Sequence, residues 1–455
     1  MARPSNNLRA IPGVDTLLEA VADCPLPRPL VVAAIRAELR SLRKAGSIPG
    51  RDKITATIRQ GLDDLALSRL QPVINGTGVV VHTNLGRSPM NPLATTGFVN
   101  LEMDLVTGRR GARAAYLERC LAELCGAEAA MVVNNCAAAL VLNLRHFTAD
   151  KKEVIVSRGE LVQIGGDFRL LDILESSGAK LREIGATNHT SMDDYAGAIG
   201  PQTGLILKVH RSNFFMKGFV AAPERRELAV LAQKKRVPFM EDLGSGVLLP
   251  TGDWAEGHHE PMPREVLKDG ADIVCFSGDK LMGGPQSGII AGRARHVQAL
   301  KKHPFFRALR CDKLVLSVLQ STAEHYLHDQ GGELPLQGML TADLASIQRR
   351  TRKLAKALKG VPAEIDVTPG HSQVGGGALP EVPLPTVTLD IVPNDIRLVD
   401  FAARLRRATP PVIGAISSRR FRLDLRTVLP EQEKLLMNSI RSEERRVGKE
   451  CRSRW

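Results

Sequence analysis

Short strand-forming runs separated by helical stretches decide what this chain can fold into. They fall at 130–133, 154–156, 180–184, 205–209, 237–241 and 273–276. Each is too short for a helix, and β-branched and aromatic side chains dominate the last of them. A helix predicted at 224–235 lies between two of these runs. Alternation on this scale predicts a mainly parallel α/β sheet with both faces covered. Such sheets bind ligands beyond the carboxyl ends of their strands. The run at 273–276 leads directly into Ser277-Gly278-Asp279-Lys280-Leu281-Met282-Gly283-Gly284-Pro285-Gln286, and a second apolar run follows at 287–292. Lys280 is therefore set on a tight loop between two core strands, with glycines that permit close backbone approach. It can reach into solvent from the turn. Alternatively, it can sit in a dry site as a nucleophile for a carbonyl cofactor.

The chain has 455 residues, 43% hydrophobic and 24% charged, which suits a soluble globular protein of two or three domains. Residues 1–70 read as a helical module, 71–304 as the α/β domain and 305–440 as an α+β domain. In the module, three amphipathic stretches at 14–24, 30–44 and 52–70 are punctuated by prolines. Arg36, Arg40, Arg43 and Lys44 lie off the apolar stripe of the second. Aromatic residues make up only 4%, which argues against an RNA-binding surface of stacked rings. The longest apolar stretch, 129–144, is broken by Asn134-Asn135, so no membrane span is expected, and no signal-peptide core opens the chain. The seven cysteines form no CxxC pair and have no histidines at metal spacing. A cytoplasmic, reduced and metal-free protein is expected.

The net charge of +13 favours a polyanionic partner, although charge alone does not establish nucleic-acid binding. Part of that charge lies in the last fifteen residues, 441–455, which carry six basic and three acidic side chains and show no helical or strand period. They interrupt an amphipathic helix at 430–440 and resemble a translated sequencing adaptor, so a non-native tail is expected there. The glycine-rich stretch 370–378 reads as a loop, and without GKS or GKT it is not a phosphate loop.

Three strand-end loops combine. Asn134-Asn135-Cys136-Ala137-Ala138 puts small residues at a helix N-terminus after a strand, which suits a phosphate or an ordinary asparagine cap. Asp242 ends the 237–241 run and suits a cationic ring nitrogen or a turn. Lys280 follows, with Ser277 three residues before it. A phosphate seat, a pyridinium partner and a Schiff-base lysine are what pyridoxal phosphate needs.

The motifs INGTGVVVHTNLGR (74–87), VNN-AAA (133–139), SRGELVQIGGDFR (157–169), KVHRSN (208–213), DLGSG (242–246), SGDKLMGGPQSGIIAG (277–292), HPFFRALRCDKL (303–314) and PVIGAI–LDLRTV (411–428) carry a resemblance. The chain resembles bacterial selenocysteine synthase, the L-seryl-tRNA(Sec) selenium transferase family of fold-type-I pyridoxal-phosphate enzymes. The resemblance implies that Lys280 holds the cofactor as an internal aldimine. The seryl hydroxyl is then eliminated to leave a dehydroalanyl-tRNA, to which selenophosphate adds. It implies Lys280 and Asp279 in proton shuttling. Asn134, Asn135 and Ser277 would hold the cofactor phosphate, Asp242 the ring nitrogen, and His210 or Asn213 the ring oxygen or face. Arg87, Arg113, Arg307 and Arg310 would form the selenophosphate site, with Arg307 and Arg310 at i and i+3 on a helix face. The helical module resembles the family's tRNA-recognition domain. A homodecamer, a pentamer of dimers with active sites at subunit interfaces, is also implied.

The sequence departs from the family pattern at Ala186, His189, Cys136 and Gln163, which leaves the role of the 185–190 loop open. Two other readings stand beside the transferase. One is a lyase or β-eliminase acting on a free amino acid or amino-sugar acid without tRNA. The other is a non-catalytic tRNA-binding protein, against which Lys280 and Asp242 count.

Overall fold

The computed structural model describes residues 11–44, 48–91, 97–164 and 168–452, without the side chains of 164, 168 and 443–452. The chain separates into two compact units: 1–73 with 406–411, and 74–405 with 412–455.

The first unit is helical, with α-helices Val14–Ala20, Arg28–Lys44 and Arg51–Leu67. Leu17, Val31, Ile35, Leu39, Ile54, Ile58 and Leu62 interlock as its core. The helical period places Arg36, Arg40, Arg43 and Lys44 on the exposed face of the second helix. Arg407, in the short segment returning from the C-terminal part, pairs with Asp64 at 2.5 Å.

The second unit is built on a seven-stranded sheet. Its strands are β1 (Ala129–Val133), β2 (Glu153–Ser157), β3 (Lys180–Ile184), β4 (Thr203–Val209), β5 (Phe239–Gly244), β6 (Ile273–Ser277) and β7 (Gly288–Gly292). They lie in the order β1-β7-β6-β5-β4-β2-β3. Neighbours from β6 through β3 run parallel, and β7 runs antiparallel to both β6 and β1. Both faces are covered, which explains the nearly continuous apolar runs. Ile206, Phe239, Val274 and Ile289 face one core with Leu117 and Leu121. Leu205, Leu207, Met240, Ile273 and Ile290 face the other with Leu140 and Leu144. The helix Lys313–Leu327, grouped by sequence with the C-terminal α+β segment, supplies Leu316, Leu319, Ala323 and Tyr326 to the first of these cores.

A five-stranded sheet follows, in the order Ala415–Ser417, Arg420–Asp424, Pro383–Pro393, Ala363–Gly375 and Val79–Val81. The expected loop at 370–378 is thus corrected: most of it is the end of a long strand, paired from Ala363↔Pro393 to Gln373↔Pro383. Cross-strand pairing there overrides the weak strand preference of proline and glycine. Val79–Val81 joins the sheet parallel to the same strand, so a segment preceding the seven-stranded sheet is built into the later one.

The sequence also reads as a helix near 166–174; the helix observed is Leu170–Ser176, and residues 166 and 167 of that reading lie outside the described residues. The closing helix is also corrected. It runs Glu433–Arg452, through the stretch expected to lack a helical period. The buried residues Leu436 and Ile440 both precede 441. No helix among the described residues is long and apolar enough to cross a membrane.

A buried arginine ties this sheet to its helices. Arg426 is 3% exposed. Its guanidinium donates to the carbonyls of Met339 (2.8 Å) and Pro385 (2.6 Å) and to Ser372 Oγ (3.1 Å). Ser372 in turn donates to Asp424 at 2.6 Å. Arg426→Ala leaves these acceptors buried and unmet, so it is expected to cost about 3 kcal/mol. Urea denaturation should show this as a lower midpoint at unchanged m-value.

Candidate active site

Lys280 lies in the connection between β6 and β7. Because β7 runs antiparallel, the chain returns at once, and the lysine stays at the edge where β4, β5 and β6 end. Gly278 N donates to Ser287 O (2.9 Å), Gly284 N to Gly278 O (2.8 Å) and Leu281 N to Ser245 O (2.9 Å). A distant segment clamps the same loop. Ser88 Oγ donates to Lys280 O at 2.5 Å, and Ser88 N donates to Asp279 O at 3.2 Å. Arg87 Nη1 donates to both oxygens of Asp279 at 3.0 and 2.9 Å. Gly86 and Arg87 have φ of 91° and 67°, a left-handed pair that turns the chain back toward the loop.

A cavity of about 180 Å³ opens here, lined by Thr83, Arg87, His210, Asn213, Asp242, Lys280 and the glycines 244, 376 and 377, among others. Missing side chains make the room. A methyl at Gly377 would stand 3.5 Å from Lys280 Nζ and 3.2 Å from Asn213 Cβ. One at Gly244 would stand 3.7 Å from the same amine.

Asp242 sits in β5, between Val209 of β4 and Cys275 of β6. Its Oδ1 accepts from Gly244 N (3.1 Å), Cys136 Sγ (3.4 Å) and Cys275 Sγ (3.6 Å). Burial pushes its carboxyl above the usual range, while the Cys136 hydrogen bond and the Lys280 charge pull it back. His210 N donates to Asp242 O at 2.8 Å. His210 Nε2 lies 3.1 Å from Glu260 Oε1, without a hydrogen bond between them. Asn213 Nδ2 donates to Gln163 O at 3.1 Å.

Asn135 caps the helix Cys136–Phe147, its Oδ1 accepting from Ala138 N at 2.8 Å. The first N–H groups of that helix remain available to an anion. Gly288 passes so close that an added Cβ would lie 2.2 Å from Asn135 O. Asn134 Oδ1 is buried without a partner. A half-turn of that amide would present its N–H₂ in the same place.

The structure therefore brings Arg87, His210, Asn213, Asp242 and Lys280 onto one cavity, with Asn134 and Asn135 joined to it through the Cys136–Asp242 contact. Ser277 is buried at the end of β6 and is absent from the lining. The Asp279 carboxylate is taken up by Arg87, which makes it an anchor for that arginine. Arg113 and Arg310 border a different cavity of about 190 Å³ and converge on Glu102, at 3.0 and 3.7 Å. Arg307 is exposed and lines neither cavity. The shared helix face expected of Arg307 and Arg310 is not formed. The 3₁₀ turn Pro304–Leu309 ends first, and Arg310 has extended backbone angles.

The 185–190 loop closes on itself through Ala186 N to His189 O (2.8 Å) and does not reach the cavity lining. Sequence reasoning passed over Ser88, Gly376, Gly377 and the thiol contacts to Asp242. The run of three glycines at 375–377, all with positive φ, was the available signal.

The architecture is α/β, of the fold-type-I kind. A solved D-glucosaminate-6-phosphate ammonia-lyase matches with a TM-score of 0.54, covering 83% of this chain and 97% of that one. At 20% identity this is a likeness of fold alone. Residues 73–429 match the L-seryl-tRNA selenium transferase family model, and residues 8–43 match that of the selenocysteine synthase N terminus. The L-seryl-tRNA(Sec) selenium transferase of Geobacter sulfurreducens is 44% identical, over 95% of this chain and 98% of that protein. Its counterpart from Hyphomonas neptunium is 43% identical, over 93% and 96%. The chain belongs to the L-seryl-tRNA selenium transferase family.

Arg87→Met would leave the nearly buried Asp279 carboxylate without its partner. A loss of about 2 kcal/mol is expected in denaturant unfolding, with most of it recovered in the double variant that also carries Asp279→Asn.

Proposed function

We propose that this chain converts seryl-tRNA(Sec) to selenocysteinyl-tRNA(Sec), with selenophosphate as selenium donor and pyridoxal phosphate as cofactor. In a chain of this family, the observation that carries the reading is the placement of the Lys280 amine and the Asp242 carboxylate on one glycine-walled cavity. The residues present fit the cofactor: a lysine amine, a buried carboxylate, and a capped helix N-terminus beside an unpartnered buried amide. When bound, pyridoxal phosphate supplies an electron sink for the seryl α-carbon.

The rest falls to the chain's own groups. Lys280 Nζ anchors the cofactor, accepts the α-proton and returns a proton to the departing hydroxyl. Asp242 holds the ring nitrogen in its cationic form. Asn134, Asn135, Ser277 and the first turn of the following helix hold the phosphate. His210 and Asn213 border the ring. Asp279 steadies Arg87, whose guanidinium is offered to selenophosphate. Arg113, Arg307 and Arg310 act on the same anion from a neighbouring subunit of a homodecamer, since one chain does not bring them to its own Lys280. The helical unit binds the tRNA through the exposed Arg36, Arg40, Arg43 and Lys44, in the cytoplasm.

Purified protein reconstituted with pyridoxal phosphate should absorb at about 420 nm. Lys280→Ala should abolish that band and lower turnover by roughly 10²–10⁴-fold. In gel-shift titrations the chain should prefer seryl-tRNA(Sec) to seryl-tRNA(Ser). Replacing Arg36, Arg40 and Arg43 with Glu should weaken binding and flatten its salt dependence by about one unit of slope per lost phosphate contact. Equal binding of both tRNAs would remove this reading in favour of a lyase acting on a free amino acid.

A further inference from the structure

The two thiols beside Asp242 have no part in the chemistry described so far. Cys136 opens the helix after Asn135, and Cys275 sits in β6 directly opposite Asp242 in register. The ligand atoms of Cys136, Asp242 and Cys275 all lie within 4.8 Å of one another. Both sulfurs approach the same oxygen, Oδ1, which also accepts from Gly244 N. Among the described residues Oδ2 has no hydrogen-bond partner, and Asp242 lines the Lys280 cavity. One carboxylate oxygen thus accepts from three donors, and the other has none among the described residues.

We infer that Cys136 and Cys275 are positioning residues: their S–H groups fix Asp242 through Oδ1, so that Oδ2 is presented to the cation of the bound cofactor. The inference rests on the cofactor reading given above. It requires the thiols to be protonated, and the surroundings favour this. The Cys275 thiol is pushed well above its ordinary range by burial, by Cys136 and by Asp242. At Cys136, hydrogen bonding with Cys275 pulls downward, but burial and the Asp242 charge prevail and raise it. A neutral thiol is a weak donor that occupies little more room than a methyl group and offers no competing charge. It can therefore sit in the apolar floor of the site and still restrain the carboxylate.

Cys136 is the better site to test, since it lies in the first turn of a helix where alanine is well tolerated. Cofactor affinity is read by titrating apoprotein with pyridoxal phosphate and following the visible band. Cys136→Ala is expected to raise Kd about three- to tenfold. Cys136→Ser, which keeps a donor, should return it to within about twofold. In an Asp242→Asn background Cys136→Ala should have no further effect, because the thiol acts through the carboxylate. Without cofactor, the infrared S–H stretching band assigned by Cys136→Ala difference spectra should shift in Asp242→Asn.

Equal affinities for wild type and Cys136→Ala would overturn the inference while leaving the cofactor reading intact. So would equal impairment in the Ala and Ser variants, which would mark a packing effect only. Stoichiometric zinc that is retained through purification and lost in Cys136→Ala would overturn it too, because a metal would replace the S–H donors. If wild type takes up no cofactor, the function reading fails first, and an unshifted S–H band in Asp242→Asn then sinks the thiol contact independently.

Discussion

A carboxylate sealed at the carboxyl edge of a parallel sheet is costly unless donors and a nearby cation compensate it. Asp242 is placed in that position by register alone, with Val209 on one side and Cys275 on the other. Its surroundings supply one backbone N–H, two thiols and the Lys280 charge. The same strand order that creates the burden answers it, since β6 contributes both Cys275 and, just beyond its end, the lysine. The bulge between Cys275 and Phe276 lies where this edge becomes the site.

Lys280 is equally dependent on a segment remote in sequence. Val79–Val81 is a strand of the five-stranded sheet, and within a few residues the same stretch delivers Arg87 and Ser88 to the main chain and carboxylate of 279–280. Gly376 and Gly377, just past the end of the strand that Val79–Val81 pairs with, line the same cavity. Both sheets therefore shape one site, and disturbing the pairing at 373–375 would be felt at the lysine.

What could be read in the sequence follows the range of the forces involved. The runs at 130–133, 205–209 and 273–276 announced themselves because burial on both faces writes an unbroken local pattern. Lys280, Asp242 and the asparagine pair were legible because each sits at or near the end of a strand, and that is a local signal too. Ala363–Gly375 was hidden because its proline and glycines carry strand geometry only through long pairing with Pro383–Pro393. The partition of the arginines was hidden for a different reason. Nothing near Arg113 or Arg310 in sequence reveals that Glu102 gathers them, or that Asp279 claims Arg87. These pairs depend on how the chain folds back on itself, and the spacing around each arginine does not encode them.

The antiparallel β7 has a further consequence for how this protein can vary. A helical crossover can gain or lose a turn at its outer end while its strands stay in place. The connection carrying Lys280 has no such slack, for Gly278 N and Ser287 O close it like the throat of a loop knot. Each inserted residue would lift the amine or rotate it away from the glycine wall. The distance in sequence between β6 and β7 is thus a fixed length, set by the reach of a single side chain, and drift in loop size is expected elsewhere on the sheet.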